Sequence, residues 1–215
     1  MTSRDEQMKK TLCFAIPAVL WLLFFLWYTD LGGPLTREEI DQFRAQLILN
    51  GANDPRLAMV TKFMEADTGD DFVMVNGLDM KDAPPELPAT GTGAPAQALL
   101  DHYMEFMLPE LLSRACHPIF DGRSVFGPLD NVAVDNPPRW DRIALMRYRS
   151  RRTMMEITTN PAFGDRHDYK LGALDMTLAY PVEPALNPAD PRFLLGLILA
   201  VIALGSHAVV ARTTK

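Results

Sequence analysis

Hydrophobic positions run through this chain in three rhythms. At the two ends they are continuous. Thr11 to Tyr28 (TLCFAIPAVLWLLFFLWY) and Phe193 to Ala211 (FLLGLILAVIALGSHAVVA) pass without a single charge. Coiled as a helix, the first stretch would span about 27 Å, close to the hydrocarbon thickness of a bilayer. Both rods would be apolar on every face, and the chain between them is too short to enclose two such helices, so lipid is the expected surrounding.

Between the ends the rhythm becomes helical, then alternating. Thr36-Arg37-Glu38-Glu39 has the form of a capping box, and Ile40, Phe43, Leu47 and Ile48 follow at helical spacing until Asn50-Gly51. Asp54-Pro55 reads as the N-cap and first position of a second helix with Leu57, Val60, Phe63 and Met64 on one face. Residues 29–70 are therefore expected to form a helical hairpin. Phe72 to Met80 predicts a strand, the Pro-rich run Lys81 to Gln97 a loop, and the spacing of Leu99, Leu100, Tyr103, Phe106 and Met107 a helix. Pro109 should open or kink the last part of that helix, with His117-Pro118 ending it.

Ile119 to Phe126 and the region to Val134 predict one or two short strands. Trp140 to Arg149 alternates as a strand, Ile143, Leu145 and Arg147 on one face and Ala144, Met146 and Tyr148 on the other. Ser150 can cap a helix that Asn160-Pro161 interrupts, a second helical stretch runs from Phe163 to Asp175, and Met176 to Val182 predicts the final strand. The expected fold class is α+β: a ferredoxin-like (βαββαβ) domain over residues 71–184, flanked by two transmembrane helices at 11–28 and 193–211. Residues 185–192 form a Pro-rich tether to the second span.

The first span also resembles a signal peptide, since Arg4, Lys9 and Lys10 precede it. Against that reading, Trp27 and Tyr28 stand where small residues would be needed and no A-x-A-like site follows. Lys9 and Lys10 flank one span and Arg212 and Lys215 the other, so the tails at 1–10 and 212–215 are expected in the cytoplasm and the central domain in the periplasm of a bacterium, with Arg192 voting weakly the other way.

The net charge of -6 is unevenly spread: residues 1–10 carry +1 and residues 212–215 carry +2, which leaves -9 on the centre. Such a domain repels nucleic acid and anionic headgroups. Cys13 falls in a span and Cys116 in the domain, so no disulfide is expected between them.

One stretch carries a resemblance. Arg147-Tyr148-Arg149-Ser150, Asn160-Pro161-Ala162-Phe163, Arg166-His167 with Ala173-Leu174, and Leu178 to Val182 follow one another as they do in the second half of a particular group of proteins. Residues 140–182 in this way resemble the small uncharacterised proteins of the dimeric α+β barrel superfamily, and Asn76 is placed like a polar residue of that group. The resemblance implies the ferredoxin-like fold and self-association through the sheet, two four-stranded sheets meeting face to face. It implies no activity. The hairpin or another subunit are the alternative covers for the sheet.

Candidate chemistry is sparse. G-x-S-x-G, P-loop, dinucleotide and C-x-x-C-H patterns are missing, and His102, His117 and His167 lie too far apart in sequence to suggest a metal site. No catalytic residue, cofactor or metal is expected. The best polar group is Asn76, Arg147, Tyr148, Arg149, Arg166 and His167, in which guanidinium groups would hold an anionic ligand and His167 would move a proton. The same arginines are equally expected to pair with Glu156, Asp165, Asp168 and Asp175. His207 reads as an interfacial histidine of the second span, and Gly196 with Ala200 as a small-residue face for close helix contact. Two functions are carried forward: a non-enzymatic accessory subunit binding other integral-membrane subunits, and a membrane-tethered small-molecule binder or enzyme.

Overall fold

The computed structural model describes residues 3–213; Lys215, one of the orientation-setting charges, lies outside them. In chain order the elements are α1 (Ser3–Tyr28), α2 (Arg37–Leu49), α3 (Asp54–Glu65), β1 (Phe72–Met80), α4 (Ala96–Ser113), β2 (His117–Arg123), β3 (Arg142–Tyr148), α5 (Arg151–Thr158), α6 (Pro161–Ala173), β4 (Leu174–Val182) and α7 (Pro191–Thr213). They fall into two units, one made from the two ends of the chain and one spanning Gly32–Glu183.

In the end-derived unit, α1 and α7 are each long and apolar enough to cross a membrane. They overrun the uncharged stretches because the polar residues beside them continue the same hydrogen-bonded spiral. The two helices pack together at specific points: Trp21 Nε1 donates to the carbonyl of Arg192 at 2.9 Å, and the Arg192 guanidinium lies 5.4 Å from the Tyr28 ring centroid. Gly196 belongs to the contact, because a Cβ there would stand 3.1 Å from Trp21 Nε1. Ala200 does not, being exposed; Ala203 is the buried small residue instead. A step of seven returns closer to the Gly196 direction than a step of four at 3.6 residues per turn. His207 meets Phe14, the ring centroids 5.3 Å apart.

The other unit is α+β, with one four-stranded sheet in the order β2-β3-β1-β4, every neighbouring pair antiparallel. Register sets the faces. Met74 pairs with Met146, Asn76 with Ala144 and with Ala179, so these side chains share the face on which α4, α5 and α6 lie. Val75, Leu145 and Tyr180 pair on the other face. The edge strands carry Pro118 and Pro181, which limits their ability to recruit further strands. A Cβ on Gly77 would press to 2.7 Å from the Trp140 ring, so only glycine lets that indole lie on the strand.

Several boundaries differ from those read off the sequence. Helix α4 runs unbroken through Pro109 and stops at Ser113, and His117 begins β2 instead of ending the helix. Beyond Arg123 no strand forms before Arg142 among the described residues. The N-cap of α3 is Asn53, one residue earlier than expected, its side chain accepting from Arg56 N at 3.0 Å. The Thr36/Glu39 capping box of α2 is present.

The hairpin α2–α3 docks on α5. Leu35, Ile40, Leu47 and Met64 form a buried cluster with Met155, and Asn50 donates to the Thr159 carbonyl at 2.9 Å. It leaves much of the far sheet face open, where Phe120 is 53% and Tyr180 59% exposed, although Val73 and Arg147 at one end of that face are buried. Two further clusters fill the helix-covered side, one around Phe72, Met107, Leu111, Ile157 and Phe163, the other around Leu78, Leu99, Leu100 and Leu174.

Candidate functional site

Between those two clusters the packing is incomplete. A cavity of about 390 Å³ remains, floored by Met74, Asn76, Ala144 and Met146 of the sheet and walled by Leu100, Tyr103, Met104 and Met107 of α4 and by Phe163, His167 and Lys170 of α6. Its size lies within the range of ~300–1,000 Å³ usual for ligand pockets. Alternation along β1 and β3 brings every second residue to the floor. Spacings of four and three along α6 bring Phe163, His167 and Lys170 to the same wall.

Beside the apolar lining stand Asn76, His167 and Lys170 and, elsewhere on the wall, Asp101, Asp121 and Arg142. Asn76 Nδ2 donates to the carbonyls of Met74 and Ala144 at 3.1 and 3.2 Å, which turns Oδ1 toward Lys170 Nζ at 3.5 Å. The ammonium also lies 5.9 Å from the Tyr103 ring centroid. Lys170 forms no ion pair with any described residue, and burial lowers its pKa. His167 stacks on Phe163 with ring centroids 4.9 Å apart. Burial first, then the positive charges of Lys170 and Arg56, push its pKa down to about 4, so at neutral pH it is an uncharged imidazole. Burial likewise raises both Tyr103 and Tyr148 far above the ordinary phenol.

The arginines expected beside His167 are elsewhere. Arg147 is 3% exposed and lies on the sheet face away from the cavity, its Nε on Asp71 Oδ2 at 2.8 Å and its Nη1 on the Ala115 carbonyl at 2.7 Å. Arg149 follows β3 and does not line the cavity; its backbone N–H donates to Cys116 Sγ at 3.2 Å. Arg166 points to Glu105 at 3.1 Å and to His102. Of the six residues singled out, Asn76, Tyr148 and His167 converge on the cavity. Arg147, Arg149 and Arg166 do not. The ion pairs of these arginines reach across the fold to Asp71 and Glu105, and those of Arg151 and Arg152 to Asp67, Glu183 and Glu39, instead of the nearby Asp165, Asp168 and Asp175. Glu156 pairs with Arg114 at 3.7 Å.

Lys170 is the residue that reading the sequence missed. Its signal was present: a lysine three residues after His167 and seven after Phe163, on the inward stripe of a helix where a charge is unusual.

Comparison with solved structures gives likeness of fold. The crystal structure of methylated RPA0582 protein matches with a TM-score of 0.51 and 17% identity, covering 66% of this chain and 99% of that one. A second structure, of the RPA0582 protein of unknown function from Rhodopseudomonas palustris, gives 0.46 at 17% identity over 72% and 96% of the two chains. No family model and no curated protein matches the sequence.

The remaining candidates carry less. No group of three metal-ligating side chains assembles among the described residues. Cys116 is wholly buried, and burial pushes its thiol up to about 11, the behaviour of a small hydrophobe and not of a nucleophile.

Proposed function

We propose that this is a membrane-anchored protein whose α+β domain binds a small, largely apolar molecule in the cavity between the sheet and α4/α6. The observation that carries the reading is the cavity itself: an apolar space in an otherwise filled layer, into which Asn76, His167, Lys170 and two tyrosines bring their polar atoms. Four methionines, Met74, Met104, Met107 and Met146, line it, and their flexible thioethers adapt to a guest.

The strand order supports a ferredoxin-like description of the domain. The exposed Leu23 and Val201 side chains of α1 and α7 suit lipid on the outside of the helix pair. Lys9, Lys10 and Arg212 favour cytoplasmic termini in a bacterial inner membrane, with the domain in the periplasm.

The test is extraction of the full chain in mild detergent, organic extraction of the purified protein, and mass spectrometry of what is released. Recovery of a stoichiometric small molecule from the wild type, and its loss when Ala144→Leu fills the floor, is expected. Empty wild-type protein whose melting temperature responds to no apolar compound overturns the reading.

A second reading has its own observation. The far sheet face exposes Phe120, Leu178, Tyr180 and Val182, and the connection after β2 exposes Val125 at 94% and Leu129 at 91%. Exposed apolar side chains of this kind suit protein contact, as an accessory subunit beside other membrane proteins or by self-association through the sheet. Native mass measurement after gentle extraction checks it; a solitary monomer sinks it.

A further inference from the structure

We infer that the molecule held in the cavity carries a carboxylate head on an apolar body, with the head seated on Lys170. This rests on the cavity being a ligand site and names the chemistry of the guest.

Four arginines of the domain are matched to carboxylates. Arg147 is matched to Asp71 at 2.8 Å, Arg151 to Asp67 at 3.5 Å, Arg152 to Glu39 at 2.6 Å and Arg166 to Glu105 at 3.1 Å. Lys170, whose ammonium reaches into the apolar cavity, has only the Asn76 amide oxygen at 3.5 Å and the face of Tyr103. An ammonium drawn from water without a counter-ion is costly, and the fold leaves that cost standing. A carboxylate entering beside it would restore the missing charge and accept short, charge-assisted hydrogen bonds.

The neighbourhood selects the sign. Arg56, which also lines the cavity, adds positive potential beside Lys170 against Asp168 alone, while the neutral His167 adds no charge. Of the acids at the opposite end, Asp121 is engaged by Arg142, and Asp101 accepts from Gln97 at 2.7 Å. The hydroxyls of Tyr103 and Tyr148 donate to no described residue, which leaves two donors for a carboxylate oxygen. Beyond the head the walls are mostly Leu, Met and Phe, and the charged groups at the far end, Asp121 and Arg142, neutralise each other, which suits an apolar body.

The test titrates the detergent-solubilised full chain with octanoate and with 1-octanol by calorimetry, beside Lys170→Met, so that partition of each compound into detergent cancels between the two proteins. Wild type is expected to bind octanoate at least about tenfold more tightly than octanol, or roughly 1.4 kcal/mol. Lys170→Met should erase that preference. Equal binding of both compounds by wild type, or a preference that survives in Lys170→Met, overturns the carboxylate assignment and leaves an apolar site. Failure of wild type to bind either compound overturns the cavity reading as well.

Discussion

Arg147 and Tyr148 are consecutive in β3 and serve opposite faces of the sheet: Tyr148 stacks on Phe72 at 5.3 Å and borders the cavity, while Arg147 is locked to Asp71 on the other side. The side-chain period of two imposes the split, and it separates a structural cation from a binding surface. Arg147→Met should therefore destabilise the domain, by about 1–3 kcal/mol, since it removes charge-assisted hydrogen bonds from a buried guanidinium to a partly exposed carboxylate and a carbonyl. Tyr148→Phe should leave the denaturation midpoint nearly unchanged and alter ligand affinity. Urea unfolding of the two variants checks both.

Lys170→Met should raise the melting temperature. Burial lowers the folded pKa of Lys170 below its ordinary 10.5, so the folded state bears the cost of a desolvated charge at neutral pH. As pH climbs from the folded value toward 10.5 the folded amine loses its proton first, and wild-type stability rises. The advantage of the variant should shrink over that window, as a series of thermal melts between pH 7 and 10.5 will show. A constant advantage at all pH values would point to packing alone.

His167 gives the mirror window on the acid side. Unfolded, it takes a proton near 6.5; folded, not until about 4. Between these values protons favour the unfolded chain, so wild-type stability should fall as pH drops from 6.5 toward 4. His167→Gln should flatten that part of the profile and match wild type in slope above pH 7. Circular dichroism melts at half-unit steps provide the measurement.

The Arg152–Glu39 pair tests how the hairpin is held. Arg152 first, then the Thr36 backbone N–H, hold the Glu39 carboxylate down to about 2, well under its ordinary 4.5. A depressed carboxylate stabilises above its unfolded pKa, and this contribution should fade as pH falls from 4.5 toward 2. Both partners are partly exposed, so Arg152→Met should weaken docking of α2 and α3 without unfolding the sheet. Faster amide exchange confined to residues 37–65 is the expected signature.

Gly196→Ile should separate α1 from α7, since even a Cβ at that position crowds the Trp21 indole at 3.1 Å. Ala200→Ile, on an exposed position, should be tolerated. Reduced resistance of detergent-solubilised protein to heat aggregation in the first variant only is the expected result.

The sequence by itself determined what depends on local pattern. Two uncharged runs announced the apolar helices, the capping box at Thr36 and the Asn160-Pro161 break between α5 and α6 were readable, and alternation from Ile143 to Tyr148 assigned both faces of β3 correctly. Only the tertiary structure decided the rest, because it depends on which distant residues meet. Asp71, Glu39 and Glu105 lie tens of residues from the arginines they neutralise, so the cluster that looks like a site along the chain is dispersed into ion pairs. The cavity has no sequence signature at all. It is the volume left where β1, β3, α4 and α6 come together; the helical spacing of Phe163, His167 and Lys170 puts the lysine on their face, but that no carboxylate stands beside it is a tertiary fact.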